Sequence, residues 1–213
     1  MDIANAHAEL LYIKTDGSLD DGMELVSHPC TMDYHINKFP WEDIMHRAVR
    51  QGYRSHQTST CGLHLHVNRN TFSDNQEEQD EVISRILYFV EHHWNELLKF
   101  SRRSEYTMNR WAARYGYEHT PKAIMDKAKK GGNGRYAAVN LCNYHTVEFR
   151  LFRGTLKYNT FIATIQLVNR ICDAAMYNTD DSIAKLSWSD FVADITEPEV
   201  PQYYIEESHP AII

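Results

Sequence analysis

Thr146-Val-Glu-Phe-Arg-Leu-Phe-Arg-Gly-Thr155 is the stretch whose reading decides the fold. Val147, Phe149 and Leu151 alternate with Thr146, Glu148, Arg150 and Phe152, which is the two-residue period of a half-buried β-strand. One face is apolar and suits a core. The other presents a carboxylate and a guanidinium two residues apart, projecting from the same side. Gly62-Leu-His-Leu-His-Val-Asn68 repeats the design: Leu63, Leu65 and Val67 face one way, His64, His66 and Asn68 the other. Two strands that each bury one face and present anion- or metal-binding groups on the other predict a shared site.

Outward from these strands, Tyr136–Cys142 predicts a strand with Ala137, Val139 and Leu141 inward, turned by Asn143-Tyr-His145 into the Glu148 strand. Leu10–Lys14 and Gly22–Ser27 predict two more strands joined around Asp16-Gly17-Ser18, with Met23 and Leu25 on one face and Glu24 and Val26 on the other. Helices are expected from Pro40 to Gly52, from a cap at Ser73 or Asp74 to about Lys99, from Pro121 to Lys130, from Phe161 to Tyr177 and from Ser187 to Ala193. The long second one keeps a helical period through Val82, Ile83, Ile86, Leu87, Val90, Trp94, Leu97 and Leu98. Arg102–Tyr117 has no clean period. Gly131-Gly-Asn-Gly134 reads as a flexible connector, and an extended tail is expected from Glu197. Mixed helices and strands without regular βαβ alternation predict an α+β fold, an antiparallel sheet with helices packed on one face. Residues 1–213 are expected to form a single domain.

The net charge of −7 disfavours sequence-independent nucleic-acid binding, which rests on Lys and Arg neutralising phosphates. Arg135, Arg150 and Arg153 still allow a local basic pocket. The sequence has no apolar run of roughly 18–20 residues that would span a membrane, and its N-terminus lacks the basic and apolar regions of a signal peptide. A cytoplasmic location is expected. Cys30, Cys61, Cys142 and Cys172 are widely spaced, which predicts buried free thiols rather than a disulfide framework or a cysteine zinc site. His92 and His93 are adjacent in a predicted helix and cannot share a face, so they read as surface or interface residues. Trp94 and Trp111 read as core.

On one sheet, the open face would carry Glu24, His64, His66, Asn140, Glu148 and Arg150. Carboxylates with an imidazole suit Mg2+ or Mn2+, and an adjacent arginine suits phosphate. Together they are the equipment of phosphoryl transfer. A lone His-x-His or Glu-x-Arg pair is more often solvent-facing, so these two strands alone leave function open.

The flanking residues narrow it. Lys14-Thr-Asp-Gly-Ser-Leu19, Gly22-Met-Glu-Leu-Val-Ser-His-Pro29, Cys61-Gly-Leu-His-Leu-His-Val67, Arg135-Tyr-Ala-Ala-Val-Asn-Leu141 and Thr146-Val-Glu-Phe-Arg-Leu-Phe-Arg-Gly-Thr-Leu156, in that order, resemble the amidoligase family. That family resembles the glutamine synthetase and glutamate–cysteine ligase group of carboxylate–amine ligases. The resemblance spans Lys14 to Met176. It implies a glutamine synthetase-like catalytic sheet with its site on the open face, ATP with Mg2+ or Mn2+, and an amide bond formed through an acyl phosphate. It implies Glu24, His64 and Glu148 as metal ligands. Glu148, Arg150 and Arg135 would be the catalytic set, with both arginines on phosphate oxygens, and His66 and Asn140 would lie towards the nucleotide. The expected partners are a small-molecule or peptide carboxylate and an amine, with neither nucleic acid nor membrane.

Family members usually open with a Gly-x-Glu-x-Glu strand, for which Glu9 is the lone counterpart before Lys14. The expectation is a sheet whose first metal-binding strand is missing and whose open edges invite a second copy or a partner strand. Two other readings remain: a non-catalytic nucleotide- or metal-binding remnant of such a domain, and a metal-dependent phosphoesterase built on His64 and His66.

Overall fold

The computed structural model describes residues 5, 10–15, 17, 19, 22–56, 58 and 60–201. Glu9, Asp16, Ser18 and the end of the chain from residue 202 lie outside them, and so does the expectation about a preceding strand. The architecture is α+β, as expected.

Among the described residues the strands form two antiparallel sheets rather than one. Leu11–Lys14 (β1) and Glu24–Ser27 (β2) form a hairpin in which Lys14 opposes Glu24 and Leu11 opposes Ser27. Gly62–Asn68 (β3), Val139–Asn140 (β4) and Thr146–Arg153 (β5) form a second sheet in the order β3-β5-β4. The strand expected over residues 136–142 contracts to two residues, because Gly134–Tyr136 winds into a 3-10 turn just before it.

Eight-residue β5 is the central strand, and its apolar face meets the main core. Val147, Phe149, Leu151 and Phe152 are fully buried. They share one cluster with Ile83, Ile86, Leu87 and Val90 of the helix Gln76–His92 and with Leu167, Val168 and Ile171 of the helix Tyr158–Tyr177. These helices lie on one side of the sheet and leave the other side for polar groups. A second cluster joins Leu11, Phe39, Trp41, Met45 and Phe161, and Leu63 and Leu65 of β3 touch both.

The helices differ from the sequence expectation where local chemistry overrides periodicity. The long helix starts at a cap formed by Asn75, whose side chain accepts from the Glu77 and Glu78 amides, not at Ser73 or Asp74. It breaks at His93 before resuming as Trp94–Ser101. His93 is only 4% exposed, contrary to the surface reading: its Nε2 lies 3.0 Å from the Leu186 carbonyl, while His92 stays exposed. Trp94 is buried, but Trp111 is only half-buried. Helices at Met32–Asn37, Glu105–Trp111 and Asp180–Lys185 were not legible; each has six or seven residues, too few to display a period. The described part of the expected tail is packed: Val200 is fully buried, and the Glu197 carboxylate accepts from Arg170 at 2.8 Å. All four cysteines are free, but only Cys172 is buried and Cys142 is exposed. Among the described residues no helix is long and apolar enough to cross a membrane.

Candidate active site

A β-bulge in the central pair sets which side chains reach the open face. Leu63 opposes Phe152, yet Leu65 opposes Phe149, so β5 carries one more residue than β3 across this interval. Strict alternation would put Phe152 beside Glu148 and Arg150. The extra residue reverses the parity beyond it. Phe152 turns into the core against Phe100, with ring centroids 6.0 Å apart, and Arg153 comes opposite Gly62 on the polar side.

On that side Glu148 is the centre of a dense network. Its Oε1 accepts from Arg150 Nη1 at 2.6 Å and lies 3.3 Å from His64 Nδ1 and 3.7 Å from His66 Nε2. Its Oε2 accepts from Asn140 Nδ2 at 2.6 Å and from Asn143 Nδ2 at 3.4 Å. Register explains the gathering, since His66 and Asn140 both pair with Glu148, one from each flanking strand. Asn140 is itself fixed, because its Oδ1 accepts from the Cys142 amide. His66 Nδ1 lies 3.2 Å from the Thr146 hydroxyl.

These contacts set protonation. Burial pushes the Glu148 carboxyl up, but the Asn140 amide, Arg150 and the two imidazoles outweigh it and hold it below the ordinary value. His64 is pushed down to about 4 by burial and then by Arg150, with Glu148 opposing. At neutral pH the centre is thus a carboxylate, a guanidinium and a neutral imidazole.

Arg135 reaches the same face from the β4 side. Its Nη2 donates to the Tyr136 hydroxyl at 2.9 Å and its guanidinium lies 5.0 Å from the centre of that ring. The guanidinium of Arg150 lies 5.8 Å from the same ring. A buried Glu91 supports this flank: its carboxylate accepts from Arg114 Nε at 2.8 Å and from the Tyr115 amide at 2.7 Å, and the adjoining Ala113 bridges to Ala137. Five of the expected residues therefore share one network: His64, His66, Asn140, Glu148 and Arg150. Arg135 joins it through Tyr136. Glu24 lies on the separate hairpin, opposite Lys14. Asn143, Tyr136, Gly62 and Arg103 belong to this face and were not singled out from sequence. Tyr136 and Gly62 lay inside the quoted motifs, but nothing local marks a tyrosine as a spacer or a glycine as a clearance.

A family model described as "Putative amidoligase enzyme" matches residues 7–172, most of the chain. The protein belongs to the amidoligase family. Comparison with curated proteins and with solved structures gave no match. Membership points to ligase-type chemistry.

The divalent metal that the sequence resemblance implies can be weighed against this face. A hard divalent cation takes several oxygen ligands. Among the described residues one carboxylate faces the site, both its oxygens already accept from N–H donors, and Arg150 sits 2.6 Å away. Among the described residues no three His, Cys, Asp or Glu side chains are grouped to hold a metal. As arranged, the residues do not fit a resident divalent cation. They fit an anion.

Proposed function

We propose that this amidoligase is an ATP-dependent carboxylate–amine ligase. The reading is carried by the family match over residues 7–172, and the anion-oriented face around Arg150 supports it. In the proposed reaction a substrate carboxylate oxygen attacks the γ-phosphorus of ATP, giving an acyl phosphate and ADP. The amine then attacks the acyl carbon, the C–O bond to phosphate breaks, a proton leaves the nitrogen, and amide and inorganic phosphate remain. Mg2+ or Mn2+ enters as part of the nucleotide substrate.

Each side chain has a role in keeping with its surroundings. Arg150, with Arg135 across Tyr136, holds phosphate oxygens, and its attraction strengthens as negative charge moves onto the leaving phosphate. Glu148 aims Arg150 and keeps its charge, while Asn140 and Asn143 hold Glu148. His66, on the outer part of the face, lies towards the nucleotide. Neutral His64 packs against Glu148 and Arg150 without adding a third positive charge. Glu24 stays a proposed metal ligand only if the hairpin closes over the sheet.

A second reading has one observation in its favour. A face with a single carboxylate among the described residues suits a module that binds nucleotide without turning it over. Incubation with Mg-ATP and pools of acids and amines, following ADP and amide, separates the two: ADP formed only when acid and amine are both present supports the ligase. Tight ATP binding with no ADP across the pools would overturn it in favour of the binding module.

A further inference from the structure

The positive charge on this face exceeds what a phosphate site needs, and it continues to the side of Arg150 away from Arg135. Arg103 follows the end of the Trp94–Ser101 helix, and its Nη2 donates to the Phe152 carbonyl at 3.0 Å. That bond lays the guanidinium against the first residue of β3. A Cβ at Gly62 would sit 2.7 Å from Arg103 Nη2 and 2.8 Å from His64 Nε2, so the glycine is what lets both side chains occupy that corner. Arg153 opposes Gly62 through the bulge. Among the described residues, Arg103 and Arg153 have no acidic side chain within ion-pairing distance, and Glu148 is matched to Arg150.

Such a cluster is held together against its own repulsion. Burial and then Arg150 and Arg153 bring the Arg103 guanidinium down to about 10. The Arg103 and Arg150 Nε atoms are buried without a hydrogen-bond partner, which costs free energy. In a chain of net charge −7, three neighbouring guanidiniums facing one carboxylate among the described residues call for an anion. The topology separates two anion positions. Arg150 stands on the central strand, Tyr136 and Arg135 flank it on the β4 side, and Gly62 with Arg103 lies on the β3 side, where Arg153, at the end of the central strand, comes opposite Gly62.

We propose that the Gly62 corner, with Arg103 and Arg153, binds a second, non-reacting carboxylate of the acid substrate, so that the protein selects dicarboxylic over monocarboxylic acids. The proposal rests on the ligase reading for the word substrate, but the pocket can be tested without turnover. Arg103 and Arg153 act as specificity-determining residues: a guanidinium fork matches a planar carboxylate in two parallel bonds, and a monocarboxylate offers nothing to that fork once its single group is at Arg150.

The test is calorimetric titration of the full chain with succinate, butyrate and inorganic phosphate, without ATP, on the wild type and on Arg103→Met, Arg153→Met and Gly62→Ala. Succinate is expected to bind roughly tenfold or more tightly than butyrate, the scale of one charge-assisted carboxylate contact. The preference should collapse in Arg103→Met and weaken in Arg153→Met. Arg103→Met also loses the Phe152 bond, so its circular dichroism is compared with wild type; Arg153→Met has no such bond to lose. Gly62→Ala should weaken succinate by crowding Arg103. Equal binding of succinate and butyrate would overturn the proposal. So would phosphate displacing succinate with the same dependence on Arg103, which would assign the corner to nucleotide phosphate. Succinate selectivity without ADP formation in the Mg-ATP assay would leave the pocket standing and remove the ligase, whereas ADP formation equally supported by both acids would do the reverse.

Discussion

The two sheets of this protein are built from short strands of two to eight residues and end differently. The β3-β5-β4 sheet buries Val147, Phe149, Leu151 and Phe152 under two long helices and presents a polar face in which every Glu148 oxygen is engaged. The β1-β2 hairpin buries Leu11 and leaves Ile13 and Leu25 48% and 41% exposed. The contrast teaches what an organised polar face requires. Side chains held at 2.6 Å need a backbone that does not shift, and the backbone is fixed by the apolar floor beneath it. Glu24, on a strand without such a floor, has no comparable network among the described residues.

That contrast can be broken most forcefully from below. Phe149→Ala empties a fully buried site between Leu65 and Val139 and is expected to cost about 3–5 kcal/mol in urea unfolding. Leu25→Ala on the hairpin is expected to cost less than about 1 kcal/mol. Comparable losses would mean that the hairpin is as much part of the core as the central strand. From above, Glu148→Gln replaces the charge that aims Arg150 and is expected to lower ligase turnover roughly a hundredfold or more with circular dichroism unchanged. Glu24→Gln should lower it less. An equal drop at Glu24 would join the hairpin to the active site and sharpen the proposed metal role.

Acid should expose the difference next. Folded His64 lies at about 4 against an ordinary 6.5. Above pH 6.5 the imidazole is neutral in both folded and unfolded states. Between pH 6.5 and 4 the unfolded chain takes up a proton that the folded one refuses, so stability falls as pH falls. Glu148 acts in the same direction lower down: its depressed carboxyl contributes stability that is present above 4.5 and is lost as pH drops through the folded value. His35 and His93 are also lowered, by burial above all, so the measurement is the difference between wild type and His64→Gln. The wild type should lose on the order of 2 kcal/mol more than the variant between pH 7 and pH 4.5. Parallel curves would show that His64 titrates normally in the folded protein.

Period-two alternation was enough to place Val147 and Phe149 in the core, Leu63, Leu65 and Val67 against it, and His64, His66, Glu148 and Arg150 opposite them. It failed at Phe152, because a bulge is a property of the pair and leaves no mark on either strand alone. The same failure hid the opposition of Arg153 and Gly62. One continuous sheet was expected because each strand displays a polar face. Pairing partners, however, are chosen by three-dimensional packing, and the hairpin's own register gave no sign of where it ends. Arg103 was illegible for a different reason: it lies 41 residues from Gly62 by their sequence numbers, in a segment without a period, and its place is set by the Phe152 carbonyl.

Within the polar face, a smaller effect is expected at Asn140. Its Nδ2 holds Glu148 Oε2 at 2.6 Å while its Oδ1 accepts from the Cys142 amide, so it ties the carboxylate to the turn between β4 and β5. In Asn140→Ala the carboxylate keeps Arg150, and Asn143 at 3.4 Å is near enough to move in, so the loss is that of one charge-assisted bond, on the order of 1–2 kcal/mol of stability. The Glu148 carboxyl should rise, since the Asn140 bond is foremost among the contacts that lower it. The acid limb of the turnover profile would then move to higher pH, while Asn140→Asp, which sets a second carboxylate against the first, should move it further. An acid limb unmoved by Asn140→Ala would mean that Arg150 and the imidazoles fix the charge of Glu148 without Asn140, and that the β4 flank supports the sheet rather than the site.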